Sequence, residues 1–187
     1  MTIKPNILII GSTGRNTGKT EFACRVIERL STQKELVGIK VVPVDKDEGK
    51  CHKGLDGCGL CDSLTEDFKI IEELATDTSK DTSRMLKAGA KKVFLLLVER
   101  NSMRKGLEAL LDLIPDRMWV VIESNSIRNV VEPGLFLVIK KTGDQIVKQT
   151  CAGVIERADK IIEFHDMTWD YPPDNILIQN ERWIMKE

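Results

Sequence analysis

The chain has 187 residues, with 28 Lys and Arg against 29 Asp and Glu. That length suits one well-cored domain, expected over 1–187. The near-even charge leaves no net basic field to hold a nucleic-acid backbone or an anionic membrane. The N-terminus, MTIKPNILIIG, carries a short apolar run before a glycine, and the longest apolar run, VFLLLV, is six residues. These read as strands rather than as an export signal or a membrane span. A cytoplasmic protein is therefore expected, in which clustered thiols serve as metal ligands or reactive groups rather than disulfides.

Short runs rich in Val, Ile and Leu alternate with segments of helical period, the pattern that βαβ crossovers impose on a parallel sheet covered on both faces. In chain order the expected strands are NILII (6–10), LVGIKVV (36–42), KVFLLLV (92–98), MWVVIES (118–124), GLFLVIK (134–140), DKIIEF (159–164) and NILIQN (175–180). The first helix, from Lys19 to about Thr32, places Ala23, Val26, Ile27 and Leu30 on one face, with Cys24 at the edge of that face. A second helix, 101–114, does the same with Leu107, Leu110, Leu111 and Ile114, and Asn101 or Ser102 is its expected cap. A shorter helical piece, DTSRMLKAGA, ends at Gly89. The stretch at about 44–63 has neither strand nor helix period.

ILIIGSTGRNTGKTEFACRVIERL joins a buried strand, a glycine-rich polar loop and an amphipathic helix in direct succession. In a phosphate-binding loop, backbone N–H groups and the helix N-terminus surround the phosphates, a lysine reaches the β and γ oxygens, and a Ser or Thr hydroxyl binds Mg²⁺. Those roles fall on Gly14, Arg15, Asn16, Thr17, Gly18, Lys19, Thr20 and Glu21, with Thr13 standing where the strict pattern has glycine. Mg²⁺ also calls for an acidic group at the C-terminal end of a neighbouring parallel strand. Glu99 and Glu123 both end strands; Glu123 is the preferred partner of Thr20 and, with Lys19, the expected catalytic group. The alternative for each glutamate is a solvated strand-end residue. Asp45 and Asp47 are further candidates for orienting water or metal.

CHKGLDGCGLC (51–61) holds Cys51, Cys58 and Cys61 in a C-x6-C-x2-C spacing. The CGLC knuckle allows two thiolates to converge on one ion, with Zn²⁺ ranked first, redox-active or unliganded thiols second, and an Fe–S cluster third. The fourth ligand is open: Cys151 if the fold brings it near, or a second copy of the chain. His52 and His165 are read as non-ligands, the latter as a surface-loop residue.

The order GSTGRNTGKT, GIK (38–40), KDTSRMLKAGAKKV (80–93), a strand ending VVIES and the strand LFLVIK resembles the molybdopterin-guanine dinucleotide biosynthesis adaptor (MobB-type) family of P-loop proteins. The resemblance spans most of residues 6–140. It implies a three-layer α/β P-loop NTPase fold, with a mostly parallel sheet of about seven strands and helices on both faces; the Cys-rich loop at about 44–63 is an insertion with no counterpart in that family's ordinary members. It also implicates Ile39 and Lys40, Asp81, Thr82 and Arg84, and Glu123 as the metal-linked carboxylate. The chain departs from the family in Val41 and Val42 after Ile-Lys, and in ESNS where the family has Glu-Gly-Phe-Lys. Lys141 and Asp144 in IKKTGD are wrongly spaced for a guanine signature, so the base, GTP or ATP, stays open, and Asp144 reads as a turn residue with Gly143.

Two functions fit. One is a slow Mg-dependent NTPase acting as an adaptor, with a protein partner in cofactor biosynthesis. The other is a small-molecule kinase whose acceptor lies beside Asp45, Asp47 or Asp81. LFLVIK and the C-terminal NILIQNERWIMKE are expected to supply an edge strand for a homodimer.

Overall fold

The computed structural model describes residues 2–44, 64, 66–143 and 147–186. Its centre is an eight-stranded sheet of β1 (Thr2–Ser12), β2 (Leu36–Val44), β3 (Phe68–Glu72), β4 (Lys92–Glu99), β5 (Trp119–Glu123), β6 (Val131–Lys141), β7 (Lys160–His165) and β8 (Thr168–Trp169). The spatial order is β3-β4-β2-β5-β1-β6-β7-β8. Every pair from β4 across to β7 is parallel, and only the two edges, β3 on β4 and β8 on β7, are antiparallel. The described helices are α1 (Lys19–Leu30), α2 (Asp81–Lys87), α3 (Met103–Leu111) and α4 (Gln149–Ala152), and a separate hairpin pairs β9 (Ile176–Gln179) with β10 (Arg182–Met185). This is the expected mostly parallel α/β architecture with helices on both faces.

Strand alternation divides the core into two layers. Ile7 and Ile9 of β1, Val37 and Ile39 of β2, and Val120 and Ile122 of β5 meet Met103, Leu107 and Leu110 of α3 on one face. On the other face Leu8 and Ile10 meet Phe22, Val26 and Ile27 of α1, Met85 of α2 and Trp183 of the hairpin. Gly38 lies on the α2 side, where an added Cβ would sit 3.1 Å from the Met85 sulfur. The same alternation carries Lys40 and Glu123, cross-strand partners on β2 and β5, to the α1 and α2 side.

Several expectations are corrected. The sheet has eight strands, because β3 and β8 are short antiparallel edges that carry no buried parallel-strand run. The segment 175–180 forms a strand as expected, β9, but it belongs to the separate two-stranded hairpin and not to the main sheet. Asn180 and Glu181 both have positive φ (50° and 57°), the requirement of a type I′ turn, and fold β9 back on β10. The hairpin is fixed to the sheet by fully buried Trp183, whose indole N–H donates to the Asn6 carbonyl at 2.9 Å. β6, proposed above as an edge for dimer pairing, lies between β1 and β7, so both its edges are already used. The helix expected over 101–114 begins with a 3₁₀ turn at Arg100–Ser102, and Ser102 makes no side-chain cap. α2 terminates as expected, with Gly89 at φ 103°. Among the described residues no helix is long and apolar enough to cross a membrane.

Candidate functional site

At the C-terminal end of the parallel strands, β1 runs into the loop 13–18 and then into α1. Thr13, the residue in place of glycine, is buried and keeps the strand path: its N–H donates to Ile139 of β6 at 3.0 Å and its carbonyl accepts from Lys148 at 2.9 Å. The Ser12 hydroxyl donates to the Gly14 carbonyl at 2.9 Å and starts the turn. Asn16 and Gly18 then adopt positive φ, 54° and 72°. At Gly18 a side chain is excluded twice over, by that φ and by the Phe164 ring 2.8 Å from where a Cβ would stand. α1 starts at Lys19 with Gly18 as its N-cap, so its first N–H groups face the loop interior.

A side chain missed in the sequence holds the entrance of this loop. Asn125 accepts from the Ser12 N–H at 2.8 Å and donates to the Ser12 carbonyl at 2.9 Å, pairing with the end of β1 as a further strand would. A Cβ at Gly11 would fall 2.4 Å from Asn125 Oδ1, which explains a glycine there. The only sequence signal was ESNS standing where the resembled family has another motif.

Glu123, at the end of β5, is 1% exposed. The Thr20 hydroxyl donates to its Oε2 at 2.8 Å, Lys19 Nζ lies 3.0 Å from its Oε1, and Lys40 Nζ donates to the same Oε1. Lys40 also donates to Asp81 Oδ2 at 2.8 Å. Burial opposes charge on Glu123, but Lys19 and Lys40 outweigh it and hold the carboxyl at about 2. For Lys40, burial favours the neutral amine, and the Glu123 and Asp81 carboxylates overcome that and raise its pKa. Glu99, the other strand-end candidate, stands two strands away on β4.

The cleft over these groups has a volume of about 520 Å³ and is lined by the loop residues Gly14 to Glu21, together with Lys40, Asp81, Arg84, Glu123 and Lys148. All eight loop residues named from the sequence therefore line it. Glu21 is tied to Arg25 at 3.1 Å and to Arg84 of α2 at 2.5 Å. Asp81 and Arg84, implied by the resemblance, thus connect α2 to the floor and the helix wall of one cleft. Lys148 was not anticipated; it follows a segment with no motif.

The donor set tests whether Mg²⁺ fits. A hydroxyl and an ionised carboxylate, both hard oxygen donors, already meet at 2.8 Å, and Mg²⁺ bound with phosphates needs only one or two protein ligands. Among the described residues no three His, Cys, Asp or Glu side chains cluster as a metal site of their own. Cys51, Cys58, Cys61, His52, Asp45, Asp47 and Asp144 lie outside the described residues. Of the other thiols, Cys24 packs against the α1-side core and burial pushes its pKa up to about 12. Cys151 is fully buried in the α3-side core, with a pKa also raised by burial. His165 is exposed and pairs with Asp166 at 3.0 Å.

No family model matches the chain, and no curated protein matches it. Among solved structures it is similar to the kinase domain of Escherichia coli tyrosine kinase ETK, with 16% identity and a TM-score of 0.40. That similarity covers 82% of this chain and 62% of the other, so the chain spans less than two thirds of that structure's length.

Proposed function

We propose that the cleft binds a nucleoside triphosphate with Mg²⁺ and hydrolyses it slowly, and that the chain acts as an adaptor in molybdopterin-guanine dinucleotide biosynthesis or a related cofactor pathway. The observation that carries the nucleotide reading is the convergence of Thr20, Lys19 and Lys40 on the buried Glu123 carboxylate beneath a loop that opens into α1. Such a charge network at the end of a parallel sheet is costly to bury and is retained where a charged ligand is to be met. Charge balance supports it as well: the cleft is lined by five cationic and three acidic side chains. That surplus of two positive charges, with Mg²⁺ added, matches a triphosphate.

In this reading the backbone N–H groups of 14–19 and the start of α1 receive the phosphates. Thr20 and Glu123 hold Mg²⁺, which when bound neutralises charge on the β and γ oxygens. Lys19, 3.0 Å from Glu123, reaches the phosphate oxygens. Lys40 remains against Glu123 and keeps it ionised. Asp81 stands beside Lys40 as the nearest further carboxylate, placed to orient a water or an acceptor hydroxyl. The adaptor role and the cofactor pathway are supported only by the motif order described above.

Labelled ATP and GTP, incubated with the protein alone and then with a metabolite extract, test the reading. Slow phosphate release without transfer is expected. Rapid transfer to a metabolite supports the small-molecule kinase instead.

A further inference from the structure

We propose that Lys148 is a terminal-phosphate ligand, which lets the cleft distinguish a nucleoside triphosphate from a diphosphate; this rests on the nucleotide reading above. Three observations place it there. Its backbone N–H donates to the Thr13 carbonyl at 2.9 Å, so the residue is anchored at the entrance of the loop. Its side chain lines the same cleft as Lys19 and Lys40. Its electrostatic neighbours are Lys19, Arg15 and Lys40, with the Cys151 thiol as a weaker opposing group and no carboxylate among the described residues paired to it.

The last point separates Lys148 from the other two lysines. Lys19 and Lys40 are already neutralised by Glu123, and Lys40 by Asp81 as well. Lys148 faces three positive groups and, among the described residues, has no such counter-ion, so an ammonium there is disfavoured until an anion arrives. Partial burial, reinforced by Lys19, Arg15 and Lys40, lowers its pKa, in keeping with that repulsion.

The end of the ligand it meets follows from its neighbours. A P-loop lysine reaches the β and γ oxygens, and the Mg²⁺ carboxylate lies at the same end. Lys148 lines the cleft with Lys19 and Lys40 and is within electrostatic reach of both, as well as of Arg15. Removing the γ-phosphate takes away its counter-ion and leaves the contacts of the α and β phosphates in place.

The test compares wild type, Lys148→Met and Lys148→Arg by calorimetric titration with Mg²⁺ and a non-hydrolysable triphosphate analogue, then with the diphosphate. Lys148→Met is expected to weaken the triphosphate at least tenfold and the diphosphate less than threefold, and Lys148→Arg to recover most of the triphosphate loss. Circular dichroism melts verify that both variants fold, and Lys148→Gln replaces the methionine variant if it does not. Equal losses for both nucleotides, or no loss for either, overturn the proposal. A wild type that binds neither nucleotide overturns the underlying reading, and the proposal with it.

Discussion

The Thr20 hydroxyl donates to Glu123 Oε2 at 2.8 Å, joining the second residue of α1 to the end of β5 across 103 residues of chain. Lys19 and Lys40 contact the other oxygen of the same carboxylate. In the proposed reading the Thr20 hydroxyl and Glu123 would hold Mg²⁺. Thr20→Val is therefore expected to leave the fold intact and to reduce Mg²⁺-dependent nucleotide affinity about tenfold or more. Titration with and without Mg²⁺ checks this: in the variant the metal should no longer strengthen binding.

Glu123 predicts an acid limb in stability. Burial works to raise its pKa, yet Lys19 and Lys40 prevail and set it at about 2, below the ordinary value of 4.5. A depressed folded-state pKa contributes stability that is fully present above the unfolded value and is lost as pH falls through the folded one. Glu123 should therefore contribute to a decline in unfolding free energy that starts near pH 4.5 and continues toward 2. In Glu123→Gln the decline over that window should be shallower, measured by urea denaturation at a series of pH values. An unchanged slope contradicts the coupling to the two lysines.

Lys40→Met leaves a nearly buried carboxylate with one ammonium instead of two. The expected cost is about 3 kcal/mol, and pairing it with Glu123→Gln should recover part of that, because the stranded charge is gone as well. Strict additivity of the two substitutions argues against direct coupling.

Asn125→Ala removes both hydrogen bonds to the Ser12 main chain, at an expected cost of about 2 kcal/mol. Because Ser12 leads into the phosphate loop, nucleotide affinity should fall too, although Asn125 does not line the cleft. A stability loss with affinity unchanged assigns Asn125 to the fold alone.

The loop proposed to bind phosphate was legible because its parts are contiguous: a strand, a glycine-rich turn and an amphipathic helix, each with its own local signal. The α1-side core residues Ala23, Val26, Ile27 and Leu30 followed from helical period, and all four are buried. Glu123 was legible as a strand-end carboxylate, whereas Lys40, Asp81 and Arg84 came through a motif resemblance. Lys148 and Asn125 carry no local signal, since each acquires its place only when β5 and β6 flank β1. The C-terminal hairpin was half read: NILIQN was seen as a strand, but an Asn-Glu pair is a weak sign of the I′ turn that removes it from the main sheet. β3 has the burial pattern of an edge, mostly exposed, and so lacks the apolar run by which the parallel strands were found.

Zinc in the Cys-rich segment remains a proposal. Elemental analysis of untagged protein is expected to give close to one Zn per chain, falling sharply in the Cys58→Ser, Cys61→Ser double variant. Metal-free protein with every thiol titratable contradicts it.

The most direct measurement is calorimetric titration of wild type and Lys19→Ala with MgATP and MgGTP. The cleft geometry predicts one triphosphate per chain for the wild type with at least one of the two, and a loss of thirtyfold or more in the variant, about 2 kcal/mol. No binding of either nucleotide by the wild type, or equal affinity in Lys19→Ala, contradicts the assignment of the cleft as a triphosphate site.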